Sequence, residues 1–299
     1  MGKHDHRDHL SDIESGRNVT WAGMAVNALL IVLKLLGGIY GLSRALLADA
    51  AHSISDFASD ILVLIGLHFF HKEEDSDHPY GHGKIETLAT IGVGLLLLYV
   101  AVRIGIDAAV AIYRGDISIP YRFTIIIAAV SIAAKEILYH VTVRIGKRIG
   151  SEAMIANAWH HRSDAWTSVV TLAGVTLAVY VPTLRVLDSY AALLVSFFII
   201  RVAFGILRGA IAKIVDTSPD PELLERICSE IQSVEGVRNC HDVAARYYAN
   251  RIRMEVHIAV DPNLTVLEAH GIADTVSSKI KGRFEEVSNV LVHIDPYED

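Results

Sequence analysis

Two stretches of this sequence place ionisable side chains inside apolar runs long enough to cross a bilayer. The first runs from Leu46 to Asp60 and carries His52 with Asp49, Asp56 and Asp60. A helix needs about 20 apolar residues to span the hydrocarbon. A charged group at that depth is costly, so it marks a site by default. His52 and Asp56 are spaced i,i+4 and share one helical face. The same spacing recurs at His160 and Asp164, in a second apolar run. Two helices that each present His-x-x-x-Asp offer two imidazoles and two carboxylates, a donor set suited to one tetrahedral, Zn²⁺-like ion. One such spacing arises by chance in many helices, whereas two in matched apolar surroundings are far more specific.

The rest of the chain fits a membrane protein. Of its 299 residues 52% are hydrophobic, and the mean hydropathy is +0.38, too apolar for an ordinary soluble protein. Apolar periodicity predicts six spans, at about 18–40, 45–71, 86–113, 121–144, 152–181 and 186–208. Ahead of them, residues 1–17 are polar, with His4, His6 and His9, and read as a flexible arm without the apolar core of a cleavable leader. Six spans put both termini on one side. Lys72, Lys84, Arg144, Lys147 and Arg148 in the loops on that side give a modest basic bias, which predicts cytoplasmic termini.

After Arg208 the pattern changes. Residues 209–299 alternate helical and strand-like segments in the order α-β-β-α-β, which predicts a small α+β layer. The formal net charge of −7 falls entirely in this tail, since residues 1–208 hold 18 basic and 18 acidic side chains. An acidic tail argues against nucleic acid and against docking on anionic lipid. Cys228 and Cys240 form no metal knuckle and no disulfide framework, and suit a reducing compartment. No nucleotide-binding Gly-x-x-x-x-Gly-Lys loop occurs, so an ATP-driven pump is disfavoured.

These residues carry a resemblance. Leu47 to Asp60, His160 to Asp164, and His78-Pro79-Tyr80-Gly81-His82-Gly83-Lys84-Ile85-Glu86 are similar to the second-helix, fifth-helix and loop signatures of the cation diffusion facilitator family of divalent-metal/proton antiporters. The likeness covers nearly the whole chain. It implies six transmembrane helices, a ferredoxin-like cytoplasmic domain and a homodimer. It also implies a transport site at His52, Asp56, His160 and Asp164. Some bacterial members carry Asp where His52 stands. Histidine there resembles the zinc-selective members and makes the site softer, away from Mn²⁺ and Mg²⁺ and toward Zn²⁺, with Cd²⁺, Co²⁺ and Fe²⁺ as competitors.

The resemblance implies further sites. Asp75, His78 and His82 are similar to a second metal site in the cytoplasmic loop. His241, His257, His270, His293 and Asp295 match the metal-holding positions of the cytoplasmic domain, where the bound ion is structural or regulatory. Lys84 and Asp216 resemble a charge pair that holds the junction of the two domains. From the residues alone, Asp49 and Asp60 flank the first ligand pair as a cavity entrance, a proton relay, orienting partners or a solvated helix end. Asn157 is placed to orient a ligand, and His161 points away from His160. Lys34 and Lys135 either pair or snorkel.

The expected function is proton-coupled efflux of a divalent transition metal by alternating access, without covalent chemistry and with no catalytic residue. The protein is expected in the plasma or inner membrane. One rival is an intramembrane metal enzyme, which needs an open coordination position and a base of the His-Glu-x-x-His kind; the sequence has neither. The other is a membrane-bound metal sensor, which the tail fits but which does not need a buried donor tetrad.

Overall fold

The computed structural model describes residues 3–70, 75–149, 151–248 and 251–298. The chain divides into two compact units, residues 1–61 with 93–205 and residues 62–92 with 206–299. Six long helices come first: α1 (Lys3–Tyr40), α2 (Arg44–Phe70), α3 (Gly83–Arg114), α4 (Phe123–Ile149), α5 (Glu152–Tyr180) and α6 (Leu187–Ile214). A single 3-10 turn, Pro182–Leu184, joins the last two.

Among the described residues four segments are long and apolar enough to cross a membrane: Asn18–Tyr40, α3, α4 and Pro182–Ile214. The other two long helices, α2 and α5, are the ones that carry the His-x-x-x-Asp pairs. The six expected spans are six long helices.

Two expected boundaries are corrected. The arm expected over 1–17 is continuous with the first span, since α1 begins at Lys3. Nothing from Lys3 to Ser15 breaks a helix, and the lone Gly16 only weakens one. The sixth helix runs past Arg208 to Ile214. The chain turns at Asp216, where φ is +55°, just ahead of Pro219 and Pro221.

The helices of the first unit pack through small residues. Ala48 and Ala51 of α2, Ala101 and Ala108 of α3, and Ala192 of α6 are buried in one cluster with Val195 and Ile199. Small side chains let helix backbones approach in a membrane, where water drives nothing together. Gly174 of α5 serves the same end, since a Cβ there would lie 2.6 Å from Ala191 Cβ on α6. The start of α2 is fixed from outside. Buried Asp188 of α6 accepts from Ser43 Oγ at 2.6 Å and from Arg44 N–H at 2.8 Å, which places a carboxylate at the positive end of the helix.

The second unit holds the α+β layer in the expected order: α7 (Pro221–Gln232), β1 (Asn239–Tyr248), β2 (Arg251–Val260), α8 (Val266–Arg283) and β3 (Val287–Pro296). The sheet order is β1-β2-β3. The first pair is antiparallel. The second is parallel and needs a crossover, which α8 supplies. Ile227 and Ile231 of α7, Val276 and Ile280 of α8, and Met254, Val256 and Ile258 of β2 form the core. Thr265 and Glu268 close a capping box at the start of α8.

The two cysteines are not isolated. Cys228 on α7 and Cys240 on β1 have Cα atoms 6.1 Å apart and their sulfurs in bonding contact. The packing of α7 on β1 brings together two thiols that sequence spacing alone leaves unrelated. The turn expected at Asn250 lies outside the described residues.

Candidate functional site

The donors expected from the sequence to form the transport site stand on α2 and α5. One donor atom each from His52, Asp56 and Asp164 lies within 4.8 Å of the others. His52 Nε2 is 3.9 Å from Asp56 Oδ2. His52 and Asp164 are buried, at 7% and 6% exposure, yet both line a cavity of about 830 Å³ together with Asp56, Phe198 and Arg201. Among the described residues His52 Nδ1 is buried without a hydrogen-bond partner. The backbone of α5 carries His160 one turn before Asp164. The side chains of His160, His161 and Asp60 lie outside the described residues.

The neighbours of this cluster select among the sequence alternatives. Asp49 is neither a cavity entrance nor a solvated helix end. It is fully buried, with Oδ2 2.8 Å from Lys34 Nζ of α1. The Lys34 ammonium also donates to Ser53 Oγ at 3.0 Å and to Ser168 Oγ at 3.1 Å, and Ser168 Oγ donates to Asp49. Lys34 therefore ties α1 to both ligand helices, beside His52 on α2 and one turn from Asp164 on α5. Lys135 of α4 lies 3.6 Å from Asp164 Oδ2, both side chains buried. Asn157 is exposed. The sequence offered one signal for these partners: two lysines in apolar helices, each without an acidic residue one turn away on the face it must bury.

The loop donors come together. His78 Nδ1 and His82 Nε2 each lie 3.2 Å from an Asp75 carboxylate oxygen, and the two rings are 4.4 Å apart. Desolvation pushes the Asp75 carboxyl up, but hydrogen bonds from the His78 backbone and ring, with the charges of His82 and His78, outweigh it and hold the group below its ordinary value. Glu73 and Glu74 lie outside the described residues. Beyond the loop, Gly83 N–H donates to Tyr248 Oη at 3.0 Å. A Cβ at Gly83 would stand 2.6 Å from that ring, so only glycine fits. Lys84 and Asp216 meet at 3.6 Å. Arg246, which sequence reasoning missed, shares Asp216 at 3.2 Å.

The tail donors form a row. His241, His257 and His293 stand abreast on three neighbouring strands, paired His241 with His257 and His257 with His293. Asp295, two residues beyond His293, returns to the same face. Its Oδ2 lies 2.8 Å from His257 Nδ1 and 3.3 Å from His241 Nε2, and its Oδ1 lies 3.3 Å from His293 Nε2. The hydrogen bond from His257 holds the Asp295 carboxyl below its ordinary value, and the charges of His293, His257 and His241 add to it. Three imidazoles around one carboxylate fit a divalent ion. His270 is not part of this group. It is exposed on α8 and pairs with Asp274 at 3.4 Å.

Comparison with known proteins identifies the family. Residues 20–215 match the cation efflux transmembrane domain, and residues 219–297 match the cation efflux protein cytoplasmic domain. The chain is 32% identical over 286 residues to a manganese efflux system protein, MneP, of Bacillus subtilis, covering 94% of this chain and 96% of that one. It is 35% identical to metal tolerance protein C1 of Arabidopsis thaliana, covering 97% of this chain and 64% of the longer plant protein. It is 34% identical to an uncharacterised transporter of Methanocaldococcus jannaschii, MJ0449, covering 90% and 94%. With buried His and Asp donors between apolar helices, an α+β tail and both domain matches in sequence order, the chain belongs to the cation diffusion facilitator family of metal cation efflux proteins.

Proposed function

We propose that this integral membrane protein exports Zn²⁺ in exchange for protons. The observation that carries the reading is the convergence of His52, Asp56 and Asp164 within 4.8 Å, with His160 one turn from Asp164 on α5. Two imidazoles and two carboxylates suit Zn²⁺ in tetrahedral geometry. The metal is the cargo. It binds neutral His and ionised Asp, so protons compete for the same donors. Loading metal on one face of the membrane and protons on the other makes that competition an exchange. Four protein ligands leave no position for an activated water, which supports transport over catalysis.

The remaining donors are auxiliary in this reading. The tail row and the Asp75, His78 and His82 loop hold structural or regulatory ions. The tail pairs with that of a second copy to form a homodimer, and Lys84 with Asp216 braces the junction between membrane domain and tail. The termini face the cytoplasm from the plasma or inner membrane. The six helices from Lys3 to Ile214 serve as transport domain and residues 219–297 as regulatory domain.

A second reading has Mn²⁺ as cargo, favoured by the likeness to a protein named as a manganese efflux system. The donor chemistry favours Zn²⁺, because imidazole suits zinc and oxygen-rich sites suit manganese. The experiment is metal uptake into sealed proteoliposomes, with Zn²⁺, Mn²⁺, Cd²⁺ and Fe²⁺ in parallel, with and without a pH gradient. Gradient-driven Zn²⁺ flux several times that of Mn²⁺ supports the proposal. Mn²⁺ flux in excess moves the assignment to the second reading. Tight binding without flux of any metal makes the protein a sensor.

A further inference from the structure

We infer that Lys135 is a tethered competitor for the transported metal: its ammonium pairs with Asp164 while the site is empty and yields that carboxylate when the ion arrives. The inference rests on the transport site proposed above and names a residue that sets its affinity.

Among the described residues of the first unit two lysines are buried, and they differ. Lys34 is fixed by one carboxylate at 2.8 Å and by two hydroxyls at 3.0 and 3.1 Å. Those partners lie outside the donor set, so Lys34 can stay in place when metal binds. Lys135 instead points at a metal donor, 3.6 Å from Asp164 Oδ2, with 3% and 7% of the two side chains exposed. That separation is longer than a close ammonium–carboxylate hydrogen bond, so the pair is held loosely. Its stem of four methylenes can swing away, as a planar guanidinium anchored at two points cannot.

The charges then constrain one another. A zinc ion ligated by Asp164 sits about 2 Å from a carboxylate oxygen, hence only a few ångströms from the Lys135 ammonium. Two cations that close, away from bulk water, repel strongly. With two ionised carboxylates and neutral imidazoles, the empty site with Lys135 carries a net −1, and the loaded site carries +1. The lysine therefore supplies a counter-charge when the cavity is vacant and weakens the hold on metal when it is full. A transporter gains from both, because a site must bind well enough to load and loosely enough to release.

The test uses the full chain. Zn²⁺ binding is titrated in detergent, and the site that disappears in Asp56→Ala is assigned to the transport centre. Lys135→Met is expected to tighten that site about tenfold or more and, in proteoliposomes, to lower KM and kcat together, because release slows. Lys135→Arg keeps the charge and is expected to bind Zn²⁺ no more tightly than the wild type. A structural role for Lys135 predicts the opposite sign: a lysine needed for packing gives weaker binding when replaced. Unchanged or weaker binding in Lys135→Met, with tail binding intact, overturns the inference while leaving the transport site standing. If Asp56→Ala and His52→Ala remove no Zn²⁺ from the wild-type stoichiometry, the site assignment itself fails and the inference falls with it.

Discussion

The two His–Asp clusters of this protein use the same chemistry in opposite surroundings. In the membrane unit the donors come from α2 and α5, spaced i,i+4 on each helix, and they sit among buried side chains beside two buried lysines. In the tail the three imidazoles come from three strands at one register position, with Asp295 two residues beyond, and they lie on a partly exposed sheet face. The tail cluster is self-contained: Asp295 already touches all three imidazoles. The membrane cluster is not. Lys135 holds Asp164, and Lys34 with Asp49 and Ser168 braces the two ligand helices. A site that only holds an ion can be finished by its own ligands. On the proposed reading, the site that binds and releases its ion is the one whose neighbour Lys135 opposes it.

The contrast predicts graded effects of substitution. Removal of a membrane donor is expected to have the largest effect: His52→Ala or Asp164→Ala lowers Zn²⁺ flux by about 100-fold or more, while tail metal binding stays at its wild-type stoichiometry. Flux within a few-fold of normal in both variants would place the transport path elsewhere. Next comes the Lys34 brace. Asp49→Ala strands a fully buried ammonium and is expected to cost about 3 kcal/mol, read as a loss of thermal stability in detergent. Replacing both partners, Lys34→Met with Asp49→Leu, should recover most of that loss, since no charge is then left alone. A double variant as unstable as the single one would show that the pair matters through packing rather than charge.

Selectivity gives a smaller effect. His52→Asp makes the membrane donor set harder and more anionic, and is expected to change the flux ratio of Mn²⁺ to Zn²⁺ in favour of Mn²⁺. An unchanged ratio would place selectivity outside the donor set. The smallest effect belongs to the tail helix. Thr265→Ala removes the acceptor for Glu268 N–H and should raise hydrogen exchange at the start of α8 about fivefold. Hydrogen bonds from the Thr265 side chain and backbone hold the Glu268 carboxyl below its ordinary value. Its contribution is therefore present above about pH 4.3 and lost as pH falls through the lower folded value. The gap between wild type and variant should narrow on that acid side.

Much of this was legible in the sequence, because spacing determines which residues share an element. Four residues from His52 to Asp56 put both on one helical face, and alternation in the tail put His257 and Asp295 on strands. What spacing could not give was pairing between elements far apart in the chain. Lys34 and Ser168 are separated by 134 residues and meet only through the tertiary fold. The same holds for Lys135 and Asp164, and for Arg246 and Asp216. Cys228 and Cys240 are only 12 apart, yet their contact depends on which face α7 turns to β1. His270 shows the converse. Its residue type fits a metal site, but its place on α8 gives it Asp274 as a partner instead of the tail row.

The most direct test sets the two clusters against each other in the same vesicles. Zn²⁺ uptake driven by a pH gradient is measured for the wild type, for Asp56→Ala and for His257→Ala with Asp295→Ala. Abolished uptake in the first variant, beside a reduction of about fivefold in the second, is the predicted result: ions move through the membrane donors, and the tail only adjusts the rate. Near-normal flux in Asp56→Ala, or equal loss in both variants, would contradict that division of labour.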